Sequence, residues 1–333
     1  MTDTKILYFV HIPKSGGTSF RKAAEHFFGK DDIVYDYGKD SPHTSGIILE
    51  YCYKNNDLYG LSKALSKSSI KMIAGHMPAI KFSKIVGIGN TISFVRDPAE
   101  QLISHFRHFK RQFGYGGSFV EFANRPDLNS LQSRLLREVP IESLGFIGLT
   151  EHFQKSIELF NEKFQVDLNE LNLNVADKKV DEKTIVTEEM RSIAIENTQG
   201  ERVFYDRILN IFSKRKMAQK LGHVFVHGTV NKITSRRISG FAFVPGSDDA
   251  VQLHLDLNGK RVSEPKPARS FRPNLAAYKV ERNGFVGFDF DVPRLAKGDR
   301  ISCIVTETGQ VLWEAISPIV EVGKPGGFRR IRN

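Results

Sequence analysis

The chain has 333 residues, 40% of them hydrophobic and 26% charged; that length implies two domains and that composition excludes a wholly disordered chain. The formal net charge is +10, of which residues 225–333 carry +6 (17 basic against 11 acidic) and residues 1–224 carry +4 (31 against 27). No apolar run approaches the ~18 residues of a membrane span, the apolar stretch at residues 6–10 is too short for a signal-peptide core, and the expected compartment is the cytoplasm.

The first two thirds alternate strand and helix patterns. Ile6-Leu7-Tyr8-Phe9-Val10 is a short apolar run of the kind a buried parallel strand needs. Phe20, Ala23, Ala24, Phe27 and Phe28 then recur at helical spacing. Residues 30–70 are polar and read as irregular. Met72-Ile73-Ala74 and Thr91-Ile92-Ser93-Phe94-Val95 are a second and third strand. Asp97 has the signature of an N-cap, with Pro98 at the first helical position and Glu100 placed for a capping box. The helix that follows is expected to bury Leu102, Ile103, Phe106 and Phe109. Phe146-Ile147-Gly148-Leu149 is a fourth strand, followed by a helix carrying Phe153, Ile157, Phe160 and Phe164, with two more helical stretches near 187–197 and 201–216. Strands alternating with helices imply an α/β fold, a parallel sheet flanked by helices.

The pattern changes near residue 223. Val251, Leu253, Leu255 and Leu257 alternate, and Asn258-Gly259 supplies a hairpin turn. Phe288, Phe290 and Val292 alternate again, as do Ile301, Cys303 and Val305, and then Val311 and Trp313. This is the pattern of an antiparallel β-sandwich. The expected organisation is residues 1–222 as the α/β domain, 223–323 as the sandwich and 324–333 as a basic tail. Lys214-Arg215-Lys216 reads as a surface connection. The tail, with Lys324, Arg329, Arg330 and Arg332, is either a solvated end or a weak electrostatic contact with an anionic polymer or membrane surface. Cys52 and Cys303 lack metal-ligand spacing, so neither a zinc site nor a disulfide framework is expected.

The strongest chemical signal is His11-Ile12-Pro13-Lys14-Ser15-Gly16-Gly17-Thr18-Ser19, between the first strand and its helix. Adjacent glycines permit a tight turn and close backbone approach, and free N–H groups at a helix start suit a phosphate. Lys14 precedes both glycines, so the string is not a Walker A loop. Gly-Gly alone is explained by an ordinary strand-to-helix turn; the nine-residue string is not. A second signal is Arg96 at a strand end, with Ser104 on the helix face it shares with Gln101, His108 and Arg111. A plain Arg96–carboxylate pair is the alternative. A third is His76 in Gly75-His76-Met77-Pro78, either a general base or a structural histidine.

These residues resemble the sulfotransferases that use 3′-phosphoadenosine 5′-phosphosulfate (PAPS), particularly the carbohydrate sulfotransferases related to the heparan sulfate 2-O enzymes. HIPKSGGTSF resembles their 5′-phosphosulfate loop and FVRDPAEQLISHF their 3′-phosphate motif. The resemblance runs over roughly residues 5–215 and includes Asn129-Ser130-Leu131-Gln132 and Gly148-Leu149-Thr150-Glu151. It departs where the family commonly has Thr and this chain has Ser15, and where a late Asn-x-x-Asp-x-x-Leu-Tyr pattern survives only as residues 197–201, ending in Glu201, followed by Phe204-Tyr205. The resemblance implies a P-loop-like sulfotransferase fold and transfer of a sulfuryl group from PAPS to a carbohydrate hydroxyl, with no metal and no nucleic-acid partner. It assigns Lys14 to the leaving oxygen and His76 to the hydroxyl proton. Ser15, Gly16, Gly17, Thr18 and Ser19 would hold the 5′-phosphate, and Arg96 and Ser104 the 3′-phosphate. Thr150 would line the adenine pocket, or cap a helix. The alternatives are a kinase-like nucleotide enzyme and a glycan-binding protein with an inactive nucleotide domain.

Overall fold

The computed structural model describes residues 6–169, 186–234 and 236–317. The chain divides into two compact units, Met1–Phe212 and Ser213–Asn333. The division falls inside the helix Gln199–Lys220, and residue 222, where the sequence places the boundary, follows that helix closely. The basic tail and residues 318–323 of the expected sandwich lie outside the described residues.

The first unit is an α/β fold, as its alternating pattern requires. Strands β1 (Leu7–Val10), β2 (Ile33–Asp36), β3 (Met72–Gly75), β4 (Thr91–Val95) and β5 (Phe146–Leu149) form one sheet in the order β2-β3-β1-β4-β5, with every neighbouring pair parallel. Both faces are covered, which is why the strands read as unbroken apolar runs rather than alternating ones. On one face Phe9 and Phe94 pack against Phe20 of helix α1 (Gly17–Phe28), with ring centroids 4.7 and 5.0 Å away. On the other, Tyr8 meets Phe82 edge-on at 5.1 Å. β2 and helix α2 (Leu58–Ser66) correct the reading of residues 30–70 as irregular. One expected core residue is also corrected: Phe109 is only half-buried, and Phe27 of the helical pattern is 44% exposed.

Register fixes where the chemistry collects. Val10 lies opposite Gly75 on one side and Ser93 on the other, Gly75 opposite Asp36, and Val95 opposite Leu149. The residues that follow these strand ends — Tyr37, His76, His11, Arg96 and Thr150 — therefore stand along one carboxyl edge of the sheet, where open α/β sheets take ligands.

The second unit is the expected antiparallel sandwich. One sheet has the order β11-β12-β7-β6 and the other β10-β8-β13-β14. The first is built from β6 (His227–Ile233), β7 (Arg237–Phe243), β11 (Ser270–Phe271) and β12 (Phe285–Asp291), and the second from β8 (Gln252–Leu257), β10 (Lys266–Pro267), β13 (Arg300–Val305) and β14 (Val311–Ile316), with the short β9 (Lys260–Arg261) paired to β8. Ile238, Phe288 and Phe290 of one sheet and Leu253, Leu255, Ile301 and Cys303 of the other share a buried core, against which Trp313 packs partly buried. The Asn258-Gly259 turn is present: both residues have positive φ, 52° and 81°, and Leu257 pairs directly with Lys260. The basic stretch before it is not a bare surface connection. Arg215 is 7% exposed and lies over the Phe225 ring at 4.3 Å, and Lys214 Nζ donates to the Leu312 carbonyl at 3.0 Å.

Candidate active site

The loop from β1 into α1 is set by its own side chains. Ser15 is fully buried, and its hydroxyl reaches the Ile12 and Phe94 carbonyls, both at 2.8 Å. Its side chain ties the loop to β4, so Ser15 offers a ligand its backbone. Gln101 Nε2 donates to the Pro13 carbonyl at 2.9 Å. Gly16, the N-cap, sits at φ 76°, and helix α1 starts with no side-chain cap and no acidic residue in its first turn. A β-carbon at Gly17 would lie 2.2 Å from His11 Cδ2, so only glycine fits beneath the imidazole. Among the described residues no group accepts from the backbone N–H groups of Ser15 to Thr18, which leaves an anion cradle at the helix start. Thr18 is exposed and Ser19 buried.

Lys14 enters this loop in the left-handed region, φ 66°, half-buried. Burial, and then the charges of Arg111, Arg96 and Arg107, lower its pKa. His11 is 7% exposed and meets His76 edge-on at 4.8 Å. Its pKa falls to about 3 through burial and then His76, Arg21 and Lys14. His76 is exposed by surface area, yet its ring stands 4.8 Å from Tyr37 as well as from His11. Its pKa falls to about 4 through desolvation, then Arg21 and His108. Apart from each other's imidazoles, the groups acting on Lys14, His11, His76 and His108 are the cations Lys14, Arg21, Arg96, Arg107 and Arg111. Arg21 Nε, His105 Nδ1 and His108 Nδ1 are buried without a hydrogen-bond partner among the described residues. Like charges gathered around unsatisfied polar atoms are unfavourable alone and complementary to a polyanion. Sequence reasoning gave no role to His11, Arg21 or His108, although the argument that singled out His76, a histidine just past a strand end, applies equally to His11.

Arg96 is positioned by a dedicated support. Gln132 Oε1 accepts from its N–H at 2.9 Å and Gln132 Nε2 donates to its carbonyl at 2.8 Å. Its guanidinium lies 3.6 Å from Glu100, so the carboxylate pair weighed in the sequence is present, but Glu100 also pairs with Arg191 at 2.5 Å. Asp97 caps helix α3 (Pro98–Phe113), accepting from the Ala99 and Glu100 N–H groups at 3.0 and 3.2 Å. The capping box is corrected: the Asp97 N–H goes to Glu151 Oε1 at 2.6 Å rather than back to Glu100. Glu151 in turn accepts from the Tyr205 hydroxyl at 2.9 Å, and Arg202 reaches Asp97 at 3.0 Å. Glu201, 4% exposed, accepts from the Ser133 backbone at 3.0 Å and its hydroxyl at 2.6 Å. The segment that departs from the resemblance, with Glu201 and Tyr205, therefore braces the Arg96 motif from behind. Ser104 is half-buried further along α3. Thr150 is not a helix cap; its hydroxyl donates to the Val95 carbonyl at 3.0 Å and its side chain lies beside Gly16.

Among the described residues no helix is long and apolar enough to cross a membrane. No protein-family description and no curated protein matches the chain. Among solved structures the chain is similar to a mouse sulfotransferase, SULT7A1, complexed with PAP, at 15% identity and a TM-score of 0.32 over 60% of this chain. It spans 66% of that neighbour, just under two thirds of its length.

Proposed function

We propose that this chain is a PAPS-dependent sulfotransferase that acts on a carbohydrate hydroxyl. The observation that carries the reading is the single sheet edge on which an unpaired backbone anion cradle meets Lys14, Arg96 and two neutral imidazoles, with only cations and each other's imidazoles acting on Lys14, His11 and His76. PAPS, when bound, supplies the activated sulfuryl group together with two phosphates.

The residues present fit it. The N–H groups of Ser15, Gly16, Gly17 and Thr18 hold the 5′-phosphate, with Ser19 supporting the turn. Arg96, clasped by Gln132, and Ser104 hold the 3′-phosphate, and Thr150 borders the adenine. Lys14 neutralises the charge that develops on the oxygen bridging phosphorus and sulfur. His76, neutral at pH 7, accepts the proton of the acceptor hydroxyl as the new oxygen–sulfur bond forms and the old one breaks. A bound polyanion raises the imidazole pKa toward the working range, since it opposes the cations that depress it. A kinase-like reading asks for free carboxylates on the same edge. Asp36 is instead bound to Lys81 at 2.5 Å and to Tyr53 at 2.7 Å, and Asp97 is held as a cap.

Calorimetry with 3′-phosphoadenosine 5′-phosphate in chelator-treated buffer tests the assignment. Tight one-to-one binding, much stronger than that of adenosine 5′-monophosphate, is expected. No binding, or binding that appears only with Mg²⁺, overturns it.

A further inference from the structure

The outer face of the β11-β12-β7-β6 sheet carries an open cleft of about 480 Å³, lined in part by Asn231, Lys232, Arg237, Ser239, Arg272 and Asp289. A β-bulge makes it. Val230 pairs with Gly240 and Lys232 with Ser239, which leaves Asn231 without a ladder partner. Ordinary alternation would send one of Asn231 and Lys232 inward, and here both are exposed. Ser239 then lies opposite Asp289 on the next strand, donating to it at 2.6 Å. Arg272 reaches the same carboxylate at 3.2 Å. Its guanidinium lies over Gly287, where a β-carbon would come within 2.3 Å of Nε. The bulge and the glycine thus shape a polar surface.

Charge and stacking set the ligand class. Lys232, Arg236, Arg237 and Arg272 line the cleft against the single carboxylate of Asp289. Counting Asp291, which stands opposite Arg237, the face keeps an excess of two positive charges. Farther along the same strand, Phe285 and its neighbour Phe271 are each 49% exposed and pack ring to ring at 5.0 Å. Phe285 and Asp289 are four residues apart and on one face, roughly 13 Å at ~3.3 Å per residue. An aromatic platform and a cationic cleft at that separation suit an extended ligand with an apolar ring face and spaced anionic groups. Asp289, held by Ser239, Ser270 and Arg272, repels any anion set directly against it, so the ligand places a neutral hydroxyl-bearing stretch there and its anionic groups to either side, as a sugar chain with spaced charges does.

We propose that this face binds an anionic polysaccharide. The proposal concerns the second unit and does not depend on the nucleotide assignment. The full chain is titrated with dextran sulfate, uncharged dextran and single-stranded poly(dT). Dextran sulfate is expected to bind, and dextran and poly(dT) to bind far more weakly. Lys232→Glu with Arg237→Glu should weaken dextran sulfate binding about tenfold or more with unchanged Tm. Phe271→Ser with Phe285→Ser should weaken it at high salt, where stacking remains and charge attraction is screened. Both pairs should retain affinity for 3′-phosphoadenosine 5′-phosphate if that site exists. Unchanged dextran sulfate affinity in either pair, or poly(dT) binding as tightly, overturns the proposal.

Discussion

Gln132 closes both backbone hydrogen bonds of Arg96, an amide clasp across 36 residues of chain. Gln132 is 2% exposed, so in the native chain bulk water does not compete for these two groups. Gln132→Ala leaves an N–H and a carbonyl unpaired, at about 1–3 kcal/mol for an unsatisfied buried group. We expect a lower Tm and a larger loss of affinity for the 3′,5′-bisphosphate nucleotide than for the 5′-monophosphate. Equal losses for the two nucleotides would separate the clasp from the 3′-phosphate.

Gly17 is predicted to be irreplaceable because of His11. Gly17→Ala drives a methyl into the imidazole, which stacks on Phe9 and abuts His76. The expected loss of turnover is roughly 10²-fold, the scale of a displacement of about 1 Å in a site. Removing the ring as well, in Gly17→Ala with His11→Ala, should restore nucleotide affinity. Failure of that second change to help would show that the collision is not the cause.

His76→Ala should leave affinity for 3′-phosphoadenosine 5′-phosphate nearly intact and reduce sulfuryl transfer by ~10²–10⁴, the usual range for a general base. Normal turnover, or poor nucleotide binding, returns His76 to a structural role.

Acid sensitivity follows from the three depressed histidines. His11 titrates near 3 and His76 and His105 near 4 in the folded chain, against an ordinary value of 6.5. Between those limits the unfolded chain takes up protons that the folded chain refuses, so this contribution is complete above about pH 6.5 and is lost as pH falls toward 4. The Tm of the free protein should drop across that interval, less steeply in His105→Gln and less steeply with the nucleotide bound. A Tm that is flat over the same range would contradict the shifts.

The sequence made β1, β4 and β5 legible because a parallel strand covered on both faces is a plain apolar run. Strand β2 escaped because it ends in buried Asp36 and lies in a polar stretch. The loop glycines and Arg96 were visible because their chemistry is local. Gln132, Glu151 and Glu201 were visible only as part of a resemblance, and their bracing roles were not, because their partners are 36 to 68 residues away and no spacing rule links them. The same distance hid the Thr150 bond to Val95, and local spacing pointed wrongly to a capping box at Glu100.

Lys14 occupies a conformation, φ 66°, that glycine adopts freely and a side chain adopts at a cost of order 1 kcal/mol. The fold would therefore be more stable with glycine there, and the same change would delete the charge proposed to act at the reacting bond. Variants selected for heat resistance alone should drift toward Lys14→Gly and, on the proposed function, lose sulfuryl transfer. At this position stability and reactivity are opposing selective pressures, and a screen must reward both to keep the lysine.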